Sequence, residues 1–153
     1  ILSVALIILV RATANSLVHS IDSRNSIIAS ELSQEGIELV RNIRDNNWTN
    51  NRSSFDSNYL PTGNNCRIDK NSARVDCSNS SKALYYSGGF YTHDTSGNIT
   101  KFQRKIILSG SSDEISAISM VIWSGNNFPS SVEQCTTANK CVYTQLTLSK
   151  WGE

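Results

Sequence analysis

Four cysteines, two histidines and a few carboxylates in turns are the side chains of this sequence whose types could do chemistry. Cys66 and Cys77 bracket RIDKNSARVD, and Cys135 and Cys141 bracket TTANK. Neither pair has the CxxC-like spacing of structural zinc ligands. Close-set cysteines in polar, turn-rich sequence suit local disulfide loops formed in an oxidising compartment. Four cysteines allow three connectivities, and the spacing favours Cys66–Cys77 with Cys135–Cys141. His19 falls in a helical run, and His93 stands beside Asp94 in a turn, a pairing far commoner in solvated turns than in catalytic dyads. Asp113-Glu114 lacks the run of oxygen ligands that a calcium loop needs. GxSxG, HExxH and phosphate-binding glycine motifs are absent. With no nucleophile–base pair to name, the chain is expected to be no enzyme and to use neither metal nor cofactor.

Two further sets of residues invite a functional reading. N-x-[ST] triplets at Asn47, Asn51, Asn79 and Asn98 are candidate glycosylation sites in a secreted protein, although a chain this rich in Asn and Ser generates such triplets by chance. Tyr85, Tyr86, Phe90 and Tyr91 flank a glycine turn, either as core, the preferred reading, or as an exposed patch for a surface or sugar. Charge is uninformative by design of the composition: 14 basic residues stand against 13 acidic ones. That balance supplies no basic field for direct nucleic-acid binding. Only 18% of residues are charged, against about 25% in ordinary domains, which fits an extracellular surface solvated by Ser, Asn and Thr.

The elements that must position these residues fall into two kinds. From Ile1 to about Asn47 there is no proline, and Gly36 is the sole glycine. Leu17, Ile21, Ile28, Leu32, Leu39 and Ile43 recur at helical spacing and predict one stripe that packs on a sheet. Glu38 can reach Arg41, and Arg41 can reach Asp45. A helix of this length spans about 70 Å, whereas a domain of about 100 residues has a radius of gyration near 13 Å. One such domain cannot cover the helix. Residues 1–25 are therefore expected to protrude, with 26–153 forming the head. Ile1, Leu2, Val4, Leu6, Ile7, Ile8, Leu9 and Val10 make the protruding end apolar all round, so lipid or other chains must bury it.

After Trp48 the period changes. TNNRSSFDSNYLPTGNN reads as a loop, and ALYYSGGFYTH as a hairpin turning at Ser87-Gly88-Gly89. ITKFQRKIILS alternates, with Phe102, Arg104, Ile106 and Leu108 on one face. EISAISMVIWS is apolar on both faces, as a central strand would be. CVYTQLTLSKW sets Val142, Leu146 and Leu148 against Tyr143, Gln145 and Thr147. Short turns favour antiparallel pairing. The expected architecture is α+β: a long N-terminal α-helix packed on an antiparallel β-sheet of about four strands.

A helix that is apolar first and amphipathic later, followed by a loop, an antiparallel sheet and a disulfide loop near the C-terminus, resembles a type IV pilin or pseudopilin. The most specific stretch is ASELSQEGIELVRNIRDNNW, which is similar to the helix-to-loop junction of pilin-like proteins from small-genome bacterial lineages. Phe102 to Leu108, Val121 to Trp123 and Leu146 to Trp151 match the F-x-R-x-I-x-L, V-x-W and L-T-x-x-W patterns that close the domain in those relatives. Pilins usually begin with a methylated Phe, carry Glu at position five and keep an apolar run of about 20 residues, the length of a bilayer span. This chain has Ile1, Ala5 and an early Arg11, which leads to the expectation that about ten residues, the glutamate among them, precede Ile1.

The resemblance implies a structural subunit of a surface filament that self-assembles by helix bundling. Such a subunit waits in the inner membrane, is handled by pilus assembly machinery, and ends on the cell surface serving adhesion, motility or uptake. A minor pilin, a secretion pseudopilin or a non-polymerising membrane-anchored binding domain are the alternatives. In that picture Arg11, Asp22 and Arg24 are candidates for inter-subunit ion pairs, with solvated or intramolecular roles equally open. Gly36 either lets a neighbouring helix approach or is a tolerated cost of about 1 kcal/mol.

Overall fold

A computed structural model describes residues 2–78, 81–125 and 127–150, with the helical backbone alone for residues 2–5. A single helix, α1, runs from Leu2 to Thr49. It ends where Asn51 takes a left-handed backbone conformation, φ 55°, a conformation that Asn tolerates better than most residues. The Asn51 N–H bonds the Trp48 carbonyl and the Arg52 N–H bonds the Asn47 carbonyl, at 3.0 and 2.9 Å. These are the two reverse bonds of a Schellman ending.

Six antiparallel strands follow: β1 Gly63–Cys66, β2 Ala83–Ser87, β3 Phe90–Thr92, β4 Asn98–Gly110, β5 Glu114–Ile122 and β6 Cys141–Ser149. The sheet order is β3-β2-β4-β5-β6, and β1 also pairs with β4. At 13 residues, β4 is long enough to carry β2 along its first half and β1 along its second, with β5 on its other edge. The α+β layout is the expected one, with more strands than expected. β1 lies in a stretch that reads as loop because GNNC has no apolar alternation. The hairpin turns at Gly88-Gly89, both at positive φ, the backbone that a two-residue hairpin loop demands.

The core fills the space between α1 and one face of the sheet. Leu32, Ile37, Val40 and Ile43 meet Phe102, Ile106, Leu108, Ile115, Ala117, Val121, Trp123 and Leu148. β5 is apolar on both faces because its other face is also covered. Met120 and Ile122 pack there under Phe128, Val132 and the Cys135–Cys141 disulfide. The second disulfide, Cys66–Cys77, closes a loop braced by the Arg67–Asp76 bridge, whose side chains meet at 3.0 Å.

The contact face of α1 differs from the predicted stripe. Leu32 and Ile43 are buried, and Ile28 and Leu39 are half-buried at its margins. Leu17 and Ile21 do not pack on the sheet; they are 65% and 56% exposed. The large apolar residues set the expected stripe, but the helix approaches the sheet through small ones, Ala29, Ser33 and Gly36. The Ser33 hydroxyl donates to the Ser119 carbonyl at 2.7 Å and lies 2.9 Å from the Thr144 hydroxyl. A Cβ on Gly36 would stand 2.3 Å from Ser119 Oγ and 3.1 Å from Ile106 Cδ1. Gly36 thus admits this chain's own sheet. Arg41 pairs with Glu38 at 2.9 Å as expected, whereas Asp45 is engaged by Arg44.

Arg104 is the deepest departure from an apolar core. It is fully buried on the face it shares with Phe102 and Ile106. Its guanidinium donates to the Leu32 carbonyl at 3.2 Å and the Ile68 carbonyl at 2.9 Å, with Glu35 at 3.6 Å. One side chain therefore ties β4 to the helix and to the loop after β1. Hydrogen bonds from a charged donor of this kind are worth about 1.5–3 kcal/mol each when made.

Gly36→Ala tests the close approach. Better helix propensity favours alanine by about 1 kcal/mol, but overpacking costs about 1–3 kcal/mol. Urea unfolding should show a net loss of up to about 2 kcal/mol; an increase in stability would mean that the helix does not sit this close to Ser119.

Candidate functional site

Among the described residues, the two histidines lie far apart in the chain, His19 on the exposed part of α1 and His93 in the head. His93 is buried rather than solvated. Its ring Nδ1 lies 3.0 Å from the Ala83 carbonyl, and its backbone N–H donates to Asp69 Oδ1 at 2.7 Å. Asp94 turns away and accepts from the Ser96 N–H at 3.0 Å. Burial, reinforced by nearby Arg104 and opposed by Asp69, pushes the His93 imidazole down to about 4. Among the described residues no group of His, Cys, Asp and Glu is placed to hold a metal ion.

The sequons separate on accessibility. Asn47 is buried in the last turns of α1, and its amide donates to the Ser54 carbonyl at 3.3 Å; an acceptor nitrogen held in that way is closed to modification. Asn51 and Asn98 are exposed, and Asn79 lies outside the described residues. The hairpin aromatics divide: Tyr85 and Tyr91 are half-buried, with Tyr91 packed against the core. Tyr86 and Phe90 are 47% and 36% exposed, and Tyr91 lies edge-on to Phe102 at 6.0 Å. Leu84 is the residue of that strand that fills the core.

What remains is a surface. Among the described side chains of α1 the first buried one is Asn25; from Leu6 to Arg24 all are exposed except half-buried Asp22. Leu6, Ile7, Ile8, Leu9, Val10, Leu17, Val18 and Ile21 are each more than half exposed along this projection. The predicted core residues Ile1, Leu2 and Val4 fall outside the described side chains. No described helix is long and apolar enough to cross a membrane. Arg11 interrupts the apolar run and is exposed.

Two open grooves flank the helix where it leaves the sheet. One, about 450 Å³, lies between Ile21, Arg24, Asn25 and Ile28 on α1 and Tyr91 with Ile99–Phe102 on the sheet. The other, about 520 Å³, lies between His19, Asp22, Ser26 and Ile27 and the loop residues Thr137, Ala138 and Lys140. Of the charges proposed from sequence for contacts between subunits, Asp22 is used within the chain, paired with Lys140. Arg24 makes no ion pair among the described residues. Sequence reasoning missed the basic pair Arg24 and Lys101 on one groove, because residues 77 positions apart have no shared periodicity.

Comparison with known protein families, characterised proteins and solved structures yields no match. The long N-terminal helix laid on an antiparallel sheet is compatible with a pilin-like layout.

The buried imidazole makes stability depend on pH. The folded state holds His93 neutral, near 4 against an ordinary 6.5, so below 6.5 the unfolded chain binds the extra proton. The stabilisation is complete above pH 6.5 and is lost as pH falls towards 4. Between pH 7 and pH 5 urea unfolding should lose roughly 2 kcal/mol. In His93→Gln that part of the pH dependence should vanish; an unchanged pH profile would assign it to other groups.

Proposed function

We propose that this chain is a structural subunit of a type IV pilus-like surface filament, assembled by bundling of its projecting helices. The observation that carries the reading is the set of apolar side chains on the projecting helix, Leu6 to Val10 with Leu17, Val18 and Ile21, which its own head leaves exposed. Burying one Leu, Ile or Val side chain is worth about 1.5–3 kcal/mol, so this surface has a strong drive towards another apolar environment. Lipid before assembly and a bundle of the same helices afterwards remove the same surface from water, and transfer between them is then nearly balanced. The two disulfides suit an extracytoplasmic head.

Electron cryo-microscopy of filaments sheared from the native cell surface tests this directly. The expected density has this chain's side chains threaded through it and residues up to about 25 packed at the axis, a span that at 1.5 Å per residue reaches about 37 Å. Detection of the protein solely as a dispersed membrane species would favour an anchored, non-polymerising domain instead.

Leu17→Asp with Val18→Asp sharpens the distinction. Both positions are exposed in the isolated chain, so the head should melt as in the wild type. In a helix bundle each buried, unpaired carboxylate costs several kcal/mol, and filament yield should fall at least about tenfold. Filaments at wild-type yield would contradict bundling along this segment.

A further inference from the structure

The projecting part of α1 repeats itself. Leu6 and Leu17, Ile7 and Val18, and Val10 and Ile21 are apolar pairs, each eleven residues apart. All six side chains are more than half exposed. The next pair at that interval, Arg11 and Asp22, is opposite in charge. Eleven residues at about 100° each make three turns and roughly 20° more, so both members of a pair lie on one flank of the helix. Leu17 and Ile21 lead on at the same interval to Ile28 and Leu32, and these to Leu39 and Ile43, which pack on the head. The head thus covers the inner repeats and leaves the outer ones bare. Ile8 and Leu9 stand outside the pattern, with His19 and Ser20 at that distance.

Arg11 is exposed and makes no ion pair among the described residues. A guanidinium enclosed by apolar helices without a counter-charge is strongly unfavourable, so a bundle that covers Ile7 and Val10 has to bring a carboxylate to Arg11. Asp22 is the sole carboxylate between Ile1 and Arg24. Its Oδ2 is held by Lys140, while Oδ1 has no hydrogen-bond partner among the described residues. The side chain opens on the groove of about 520 Å³, which leaves room for an incoming side chain. Carboxylates further along the helix fit less well. Glu31, Glu35 and Glu38 follow Arg11 by 20, 24 and 27 residues, which at about 100° per residue turns them roughly 120–180° away from its flank.

We propose that the projecting helix of a second copy lies parallel to the first and displaced by eleven residues, with its Arg11 on Asp22. Its Leu6, Ile7 and Val10 then lie level with Leu17, Val18 and Ile21. At 1.5 Å per residue the displacement is about 16 Å. This arrangement rests on the filament reading and adds to it the axial offset between two neighbours. A displacement of seven residues would also bring Val10 level with Leu17, but it would set Arg11 beside Val18. The apolar pairs supply burial, and the charges choose the register. Because residue 11 of one copy meets residue 22 of the next, the contact is heterologous and propagates from copy to copy unless it closes into a ring.

Cysteine pairing in filaments of the full-length chain measures the offset. Ile7→Cys with Val18→Cys should give a ladder of disulfide-linked multimers under mild oxidation. The two positions are about 16 Å apart within one helix, well beyond the roughly 7 Å between Cα atoms that a disulfide tolerates, so every link joins two copies. The native cysteines are already paired with one another. Ile7→Cys with Ala14→Cys, seven residues apart, should give no ladder. Charge exchange supplies a second readout. Arg11→Asp alone should lower the yield of sheared filaments by about tenfold or more, and Asp22→Arg added to it should return the yield to within about threefold of the wild type. Arg11 is exposed, so Arg11→Asp should unfold thermally as the wild type does. Filaments of the Ile7/Val18 variant without a ladder, equal ladders in both cysteine variants, or a double charge variant no better than Arg11→Asp would overturn the offset while leaving the filament reading intact. Absence of any polymer from the wild-type chain would overturn both.

Discussion

A 48-residue helix is longer than the sheet beneath it, and the rest of the molecule is organised by that mismatch. The helix buries one face from Asn25 to Asn47, a length of about 34 Å at 1.5 Å per residue. A comparable length remains outside. Since an exposed helix gains nothing from tertiary packing, the projecting half has to find its stabilisation in another environment. In the proposed filament subunit, the head would hold the inner half while the outer half is presented for assembly.

Two devices achieve that hold, and both are polar or small rather than bulky. Gly36, Ala29 and Ser33 let the helix approach until backbone and side chain of Ser119 are within contact distance. Arg104 then fastens β4 to the helix carbonyl of Leu32 and to the Ile68 carbonyl. A buried guanidinium carries a heavy desolvation cost, offset here by two carbonyls and the nearby Glu35. Its fixed fork of donors suits three elements meeting at one point. The burial of His93, and after it the nearby Arg104 charge, depresses the proton affinity of His93.

The back of the sheet follows a different logic. β5 needs cover on both faces, and the segment between β5 and β6 supplies it with Phe128, Val132 and the Cys135–Cys141 bridge. The same segment carries exposed Glu133 on its outside. Core packing and an exposed charge are thus combined in one connecting segment, which the Cys135–Cys141 bridge closes only at its C-terminal part, and the ion pair of Lys140 with Asp22 anchors its end to the helix.

Much of this was legible in the residues. The proline-free run to Asn47, the Gly88-Gly89 turn, the alternation from Phe102 to Leu108 and the two-faced β5 are local patterns, and local patterns report backbone state directly. Close spacing favoured the disulfide pairs as well. Leu17 and Ile21 show where pattern stops: hydrophobic period identifies a helical face but not where a sheet ends, so both were assigned to packing that the sheet is too short to provide. β1 was missed because its pairing with β4 depends on residues 40 or more positions away. Asn47 matched a sequon whose accessibility is a property of the surroundings. By itself the sequence determined that one helix must outrun its domain, since length and apolar composition need no partner to be read. Only the tertiary structure decided which flank of that helix meets the sheet, that Arg104 rather than an apolar side chain fastens it, and that Arg24 and Lys101 share a groove, because each depends on distances between segments that sequence separation does not encode.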